Sequence, residues 1–338
     1  MSRPQPLFPA GLGSRLRIEY LSESEQLTPA EAGADVAAGL LAVPKTLPPR
    51  YFYDDAGSLL FERICELEEY YPTRTETAIL HRWAAAIAAV TGESELVELG
   101  SGSATKIRLL LDAQRVRGNR LRYLPIDVSA GILESSARTL LADYPSLGVY
   151  GLVGTFEQAL AHLPARLLPG RILCFLGSTL GNLTPDDCRR FFGSVAAALK
   201  TGEYFLLGVD LHKDTATLEA AYNDRQGVTA AFNLNMLSHL NWRFGGNFDP
   251  AHFRHIALYN EAARQIEMYL QSDREQTVRL ERLGIDVHFA AHEAVLTEIS
   301  RKFDLPTLEA DLATHQLLPV QSWCDERQYF ALLLARKG

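Results

Sequence analysis

The sequence has few cysteines, no run of basic residues and no long apolar stretch. Its four cysteines lie far apart, with no CxxC pair and no histidine at metal-ligand spacing, which predicts reduced thiols and no metal site. The formal net charge is −8 over 338 residues, which argues against a nucleic-acid-binding surface. No stretch approaches the roughly 18 apolar residues that span a membrane, and residues 1–20 lack the apolar block of a signal peptide. We therefore expect a monomeric, cytoplasmic protein with a small-molecule substrate.

Short apolar runs alternate with helical patterns through the middle of the chain. Threonines that can cap a helix open the segments 28–43, 73–90 and 184–200, and a further helix is predicted over 305–317. Five runs predict strands, over 95–99, 122–127, 150–154, 172–176 and 204–210, and a strand pair is predicted over 320–323 and 329–335. Because strands buried on both faces are continuously apolar, the pattern predicts a doubly wound parallel α/β sheet.

Residues 212–302 interrupt this alternation. A helical stretch over 217–238 is followed by segments of alternating polarity over 254–260, 264–270, 277–283, 285–290 and 294–300. Such alternation predicts an antiparallel meander. We interpret it as an inserted second lobe.

Side chains suited to a ligand follow four successive predicted strands. Gly100 and Gly102 come after the first strand, Asp127 ends the second, Thr155-Phe156 ends the third, and Asn182 follows the fourth. Ligands of open α/β sheets bind at the carboxyl ends of the strands, so these residues predict a nucleotide site with Asp127 on the ribose. Two other interpretations remain open. The glycines could form an ordinary turn between a strand and a helix, and Asp127 could only cap the next helix.

The glycine loop favours one nucleotide over another. A third glycine at the GxGxxG spacing that cradles a pyrophosphate is missing after Gly102. S-adenosylmethionine has no phosphate, and its sulfonium cation suits an acid such as Glu98 beside the loop. We therefore expect S-adenosylmethionine, with an NAD oxidoreductase or a noncatalytic binding module as rival classes.

Several long blocks resemble one enzyme family. Residues 47–64, 69–80, 98–106, 175–185, 227–233 and 297–303 closely resemble the histidine-specific Nα-methyltransferases. The resemblance implies a Rossmann-like class I methyltransferase sheet with an inserted α+β substrate-binding lobe. It also implies trimethylation of the α-amine of L-histidine to hercynine, the first step of ergothioneine biosynthesis, with S-adenosylmethionine as methyl donor and no metal. A methyltransferase for a tyrosine or tryptophan derivative is the alternative.

The sequence pattern divides the chain into regions, and the resemblance implies roles for single residues. We expect residues 1–72 to belong to the substrate lobe, 73–211 to the S-adenosylmethionine domain, 212–302 to the inserted substrate lobe, and 303–338 to complete the sheet. Cofactor contacts are implied at Gly100, Lys106, Asp127, Thr155 and Phe156. Histidine contacts are implied at Tyr70, Gly177, Asn182, Tyr222, Met268, Glu298 and Ser300, and catalytic roles at Tyr53, Asn182 and Tyr222.

Two features refine the implied site. The family usually has aspartate where this chain has Thr155, so a carboxylate acceptor for the adenine amino group is replaced by a hydroxyl. Glu298 and Ser300 are two residues apart on a predicted strand, so both face one side and together suit the two ring nitrogens of histidine. Met268 would limit ring size. Two alternatives remain open. Tyr70 and Tyr222 could be core aromatics without a role in binding, and Glu298 could be a carboxylate on the protein surface.

Overall fold

The computed structural model describes residues 15–21 and 28–338, and expectations that concern residues 1–14 and 22–27 lie outside the described residues. The strands are, in chain order, β1 (Leu16–Tyr20), β2 (Lys45–Thr46), β3 (Ser94–Leu99), β4 (Leu121–Asp127), β5 (Leu147–Val153), β6 (Gly170–Phe175), β7 (Tyr204–Asp210), β8 (Phe253–Asn260), β9 (Gln265–Ser272), β10 (Gln276–Leu280), β11 (Ile285–Phe289), β12 (Ala294–Arg301), β13 (Leu317–Cys324) and β14 (Phe330–Lys337). The helices are α1 (Pro29–Ala32), α2 (Ala34–Leu41), α3 (Asp55–Cys65), α4 (Tyr71–Thr91), α5 (Ile107–Val116), α6 (Ala130–Asp143), α7 (Phe156–Ala161), α8 (Pro185–Ala198), α9 (Thr215–Ala220), α10 (Val228–Phe244) and α11 (Leu305–Thr314). No helix in this part of the chain is long and apolar enough to cross a membrane.

The first of two compact units contains a large mixed sheet. It comprises Pro72–Leu211, Phe303–Gly338 and the described part of Met1–Ser22. Its eight strands lie in the order β1-β5-β4-β3-β6-β7-β14-β13. Neighbours from β1 to β7 run parallel, whereas β14 is antiparallel to both β7 and β13. The predicted doubly wound α/β sheet is confirmed.

Apolar burial on both faces holds this sheet in place. All six residues of β3 are buried, and alternate residues enter opposite cores. Leu96 belongs to a core shared with α4, α5 and α6, while Val97 and Leu99 belong to one shared with α8 and α11. Burying one such side chain contributes about 1.5–3 kcal/mol, which explains why most residues of the central strands are apolar.

The strand β1 corrects the expectation that residues 1–72 belong to the second lobe. Leu16–Tyr20 pairs in parallel with β5 and covers an edge of the large sheet. Arg15 fixes this strand because its Nη1 donates to the carbonyl oxygens of Tyr144 and Leu147, at 3.1 and 3.3 Å. An uncovered β5 would expose a row of unpaired backbone groups, so the pairing protects the sheet edge.

The second unit comprises His212–Lys302 and the described part of Glu23–Tyr71. Its main sheet has the order β2-β12-β9-β8, and β10 and β11 form a separate hairpin. The predicted single meander is therefore wrong, because β12 returns to pair with β9 while β10 and β11 pair with each other. The segment 277–283 is a strand only to Leu280, since Glu281–Leu283 forms a 3-10 turn.

Candidate active site

The glycine loop after β3 folds across the end of β4. The N–H groups of Gly100 and Ser101 both donate to the carbonyl oxygen of Ile126, at 2.8 and 3.1 Å. Gly100 and Gly102 have positive φ angles of 71° and 48°, which side chains rarely adopt. A Cβ at Gly102 would meet no atom within 4 Å, so this turn borders open space.

Asp127 binds the glycine loop and keeps acceptor capacity. Its Oδ2 accepts from the N–H of Gly102 at 3.0 Å, and its Oδ1 accepts from the N–H of Ser129 at 2.9 Å. Burial raises the pKa of Asp127, and these two hydrogen bonds partly offset the rise. Each carboxylate oxygen has a second lone pair, so Asp127 can cap this turn and still accept from a ribose hydroxyl.

The third strand end presents a ring and a helix cap. Phe156 packs edge-on against Phe175 with ring centroids 5.2 Å apart, and its Cζ would lie 3.6 Å from a Cβ at Gly100. Thr155 caps α7 because its Oγ1 accepts from the N–H of Gln158 at 3.4 Å. The Thr155 hydroxyl is therefore already committed to a long cap hydrogen bond.

We expect Thr155→Asp to bind S-adenosylhomocysteine about fivefold more tightly, if position 155 contacts the adenine amino group as the resemblance implies. Aspartate is an equally good helix cap and adds a charged acceptor, which contributes about 1 kcal/mol. Thr155→Ala is the control, because it loses the cap and should destabilise the protein by about 1 kcal/mol. Calorimetric titration checks the affinity. A folded aspartate variant with unchanged affinity would argue against an adenine contact here.

Glu98 is a buried acid on the strand that leads into the glycine loop. Its side chain is 3% exposed and accepts a hydrogen bond from the Tyr123 hydroxyl. Burial raises the pKa of Glu98 to about 7, with Tyr123 and Lys106 opposing the rise and Glu76 and Asp127 adding to it. A cation bound nearby would favour ionised Glu98, so this acid suits a positively charged ligand.

The raised pKa of Glu98 gives a pH-dependent stability with a definite sign. Between the ordinary pKa of 4.5 and about 7, the folded chain holds a proton that the unfolded chain releases. Stability therefore falls as pH rises through this window, and Glu98→Gln removes that loss. The free energy of unfolding of the variant, relative to wild type, should rise by up to about 3 kcal/mol from pH 4.5 to 8. Urea titrations at several pH values measure these free energies, with the exposed Glu157→Gln as matched control. A difference between Glu98→Gln and wild type that stays constant with pH would contradict the prediction.

A buried ion pair links α4 to two implied site residues. Lys106 Nζ donates to Glu76 Oε2 at 2.6 Å, and the N–H of Gly177 donates to both Glu76 oxygens at 2.9 Å. Glu76 has no exposed surface, and a Cβ at Gly208 would overlap its Oε1. The predicted capping role of 73–76 is wrong, because α4 already begins at Tyr71 and places Glu76 on its buried face. Glu76 is thus a site residue that sequence reasoning missed.

The turn after β6 carries Asn182. Ser178 adopts a positive φ of 58° at the start of the 3-10 turn Thr179–Asn182. Its Oγ accepts from the N–H of Asp210 at 2.9 Å, which fixes the turn to the end of β7. Gly177 and the half-buried Asn182 therefore lie at the same sheet edge as the glycine loop, as the sequence predicts for residues after parallel strands.

Three implied histidine-contact residues lie on paired strands of the second unit. Glu298 is opposite Met268 and Ser300 is opposite Ile266 in the β12–β9 ladder. A bulge at Thr297, whose Oγ1 donates to the Met268 carbonyl oxygen at 3.1 Å, shifts the register just before them. Glu298 and Ser300 share one face of the strand, since they are two residues apart beyond the bulge.

Tyr222 reaches Ser300 from the turn between α9 and α10. Its hydroxyl donates to Ser300 Oγ at 2.7 Å. Asp224 shapes the turn by accepting from the N–H groups of Val228 and Thr229, at 2.9 and 2.7 Å. His255 Nε2 donates to the Tyr222 carbonyl oxygen at 2.9 Å, and burial lowers the pKa of His255, which keeps the ring neutral.

Aromatic rings connect the other implied residues of this unit. Tyr53 contacts Phe61, Phe61 contacts Tyr70, and Tyr70 contacts Tyr222, with centroids 5.8, 6.4 and 6.2 Å apart. Burial raises the pKa of Tyr70 well above its ordinary value, and the neighbouring Tyr222, Cys65, Glu298 and Tyr53 raise it further. The second unit therefore gathers Glu298 and Ser300 beside a group of tyrosines.

A buried lysine next to this group was not predicted from the sequence. Lys302 is 4% exposed, and its Nζ donates to Ser300 Oγ at 2.9 Å and to the Tyr222 hydroxyl at 3.3 Å. The spacing gave a usable signal, because Glu298, Ser300 and Lys302 recur at every second residue. A lysine usually lies on the surface, so the alternation alone does not predict that Lys302 is buried.

The strand order and the antiparallel β14 define the first unit as a class I methyltransferase sheet, with the glycine loop at its usual edge. The chain belongs to the family described as "Histidine-specific methyltransferase, SAM-dependent", whose model matches residues 32–337.

Three named relatives are similar to this chain. The chain is 45% identical over 301 residues to "Histidine N-alpha-methyltransferase" of Mycolicibacterium smegmatis, covering 89% of this chain and 93% of that protein. It is 31% identical to "Ergothioneine biosynthesis protein 1" of Neurospora crassa, covering 87% of this chain and 33% of that protein. It is 28% identical to "L-tryptophan methyltransferase trpM" of Psilocybe serbica, covering 95% and 97%.

Proposed function

We propose that this protein methylates the α-amine of L-histidine three times with S-adenosylmethionine and so produces hercynine, the first step of ergothioneine biosynthesis. The observation that carries the proposal is the pairing of Glu298 and Ser300 on one strand face beside buried tyrosines. A carboxylate and a hydroxyl at this spacing suit the two nitrogens of an imidazole. Family membership and the relative named for histidine support the same substrate.

We assign the cofactor to the carboxyl edge of the large sheet. The glycine loop would accommodate the methionine part, Asp127 the ribose hydroxyls, and Thr155 with Phe156 the adenine. Lys106, held by Glu76, would contact the ligand beside Gly177. The open space at Gly102 and the remaining lone pairs of Asp127 fit such a ligand. When bound, S-adenosylmethionine supplies an electrophilic methyl group on a sulfonium.

We assign the amino acid to the residues implied by the resemblance. Glu298 and Ser300 would hold the imidazole, with Met268 and Tyr70 beside the ring. Asn182 would donate to the substrate carboxylate without adding a positive charge near the sulfonium. Tyr222, whose one hydroxyl hydrogen goes to Ser300 Oγ, would border that carboxylate. Tyr53 would contact the amine directly or through water, and Gly177 would border the substrate.

The chemical task of these residues is to present an uncharged amine in line with the methyl group. Only an unprotonated amine has the lone pair that attacks, and burial disfavours the ammonium form. The buried tyrosines supply an environment of low polarity in which this holds. Holding two reactants in alignment contributes about 7–11 kcal/mol, so positioning supplies most of the catalysis.

Mass spectrometry of products tests the proposal directly. Histidine incubated with the protein and S-adenosylmethionine should gain three methyl groups, all on the α-amine. Tyrosine and tryptophan, tested in parallel, should gain few or none. Methylation of either of these in preference to histidine would favour the alternative substrate class, and no methylation of any amino acid would favour a noncatalytic binding module.

A further inference from the structure

Lys302 and Tyr222 both direct hydrogens at one oxygen atom. Lys302 Nζ lies 2.9 Å from Ser300 Oγ, and the Tyr222 hydroxyl lies 2.7 Å from the same oxygen. Lys302 also donates to the Tyr222 hydroxyl at 3.3 Å, so the three groups form a closed triangle. All three side chains are buried, with exposures of 4% for Lys302, 4% for Ser300 and 7% for Tyr222.

The triangle determines what the Ser300 hydroxyl can still do. A serine hydroxyl has one hydrogen to donate and two lone pairs to accept with. A lysine ammonium can only donate, so it must occupy one lone pair, and Tyr222 occupies the other. The remaining capacity of Ser300 is its own hydrogen. Ser300 therefore meets a ligand as a donor.

We propose that Lys302 fixes Ser300 as a hydrogen-bond donor, so that the site binds the neutral imidazole of its substrate in a single tautomer. This rests on the proposed function, in which Glu298 and Ser300 hold the ring. An ionised Glu298 only accepts, so the pair offers one acceptor and one donor. Neutral imidazole has one N–H and one bare nitrogen, which match this pair. Lys302 is thus a positioning residue that acts through Ser300.

Other rings and protonation states leave a group unpaired. An imidazolium carries two N–H groups, and the second would face a Ser300 oxygen with no free lone pair. An indole has no acceptor for the hydrogen of Ser300. A buried unpaired polar group costs about 1–3 kcal/mol, so the triangle discriminates against the imidazolium and the indole.

Other charged and titratable groups border this triangle. They are Glu298 on the same strand, Tyr70 and His255 beside Tyr222, and Tyr259 near Lys302, with the charge of Arg264 acting on Tyr259. Glu298 and Lys302 lie two residues to either side of Ser300, so opposite charges flank the hydroxyl. The pH dependence of turnover can therefore come from titration of the substrate ring or from titration of these protein groups. A second substrate whose ring does not titrate in the same pH range separates the two.

The test compares histidine with 1,2,4-triazol-3-ylalanine, whose ring stays neutral down to lower pH. In the wild type, kcat/KM for histidine relative to the triazole should fall about 25-fold from about pH 7 to about pH 5, as an imidazole of pKa about 6.5 becomes protonated. In Lys302→Met the fall should be less than about fivefold, because a lone pair of Ser300 becomes available. Lys213→Met, which removes a lysine donating to Tyr71, should keep the steep fall.

Each outcome bears on one part of the inference. Parallel profiles for the two substrates in the wild type would overturn the preference for neutral imidazole. A steep fall that persists in Lys302→Met would overturn the role of Lys302, provided that the variant still binds S-adenosylhomocysteine. If that variant does not fold, Tyr222→Phe gives a parallel test, since it frees the other lone pair of Ser300 and should also flatten the fall. A steep fall in Tyr222→Phe would overturn the assignment of Ser300 as a donor. A wild type that methylates neither substrate would instead refute the proposed function.

Discussion

Glu298→Ala should lower kcat/KM for histidine by about 100-fold or more while leaving the affinity for S-adenosylhomocysteine within about twofold. Losing a hydrogen bond to a charged acceptor costs about 1.5–3 kcal/mol, and the ring would also lose its orientation. Glu298 belongs to β12 of the second unit, whereas the proposed cofactor residues belong to the first. Initial rates and calorimetric titration measure the two effects separately.

Glu298→Gln is the matched control for this variant. Its amide oxygen can still accept from the ring N–H but carries no charge, so its loss of kcat/KM should be smaller than that of the alanine. An equal loss of histidine turnover and cofactor affinity in Glu298→Ala would show a structural role for this carboxylate, as would a lower thermal stability that accounts for the lost activity.

Asp127→Ala should do the reverse and weaken S-adenosylhomocysteine binding about 100-fold. The variant loses the proposed ribose contact and also the acceptor that holds the N–H of Gly102 at 3.0 Å. Two charge-assisted hydrogen bonds of this kind contribute about 3 kcal/mol together. The KM for histidine, measured at saturating S-adenosylmethionine, should change little.

Asp127→Asn separates the two losses. Its single amide oxygen can keep one of the backbone hydrogen bonds now made to Gly102 and Ser129. Its affinity should therefore lie between those of the wild type and the alanine variant. Normal cofactor affinity in both variants would mean that Asp127 only caps the turn before α6.

The sheet was predictable because burial on both faces leaves a direct signature in the sequence. The run that forms β7 is apolar up to Asp210, and all six residues of β3 are buried although two of them are glutamates. β1 has no such signature, since its five residues alternate and cover only a sheet edge. The pairing of β12 with β9 was hidden for another reason, because the hairpin β10–β11 lies between them in the chain.

Site residues could be predicted from the sequence where their arrangement depends on a single helix or strand. Alternation along a strand is enough to expect Glu298 and Ser300 on one face. Glu76 was missed because the same Thr-x-x-Glu pattern fits a helix cap, and its partners Lys106 and Gly177 are distant in sequence. The raised pKa of Glu98 depends on burial and on Tyr123, which only the folded chain brings together.

The most direct test of the account is a crystal structure of the protein with S-adenosylhomocysteine and histidine bound together. We expect one imidazole nitrogen within about 3 Å of a Glu298 oxygen and the other within about 3 Å of Ser300 Oγ, with Lys302 still on that oxygen. A histidine whose ring lies away from both side chains would contradict the proposed recognition of the substrate.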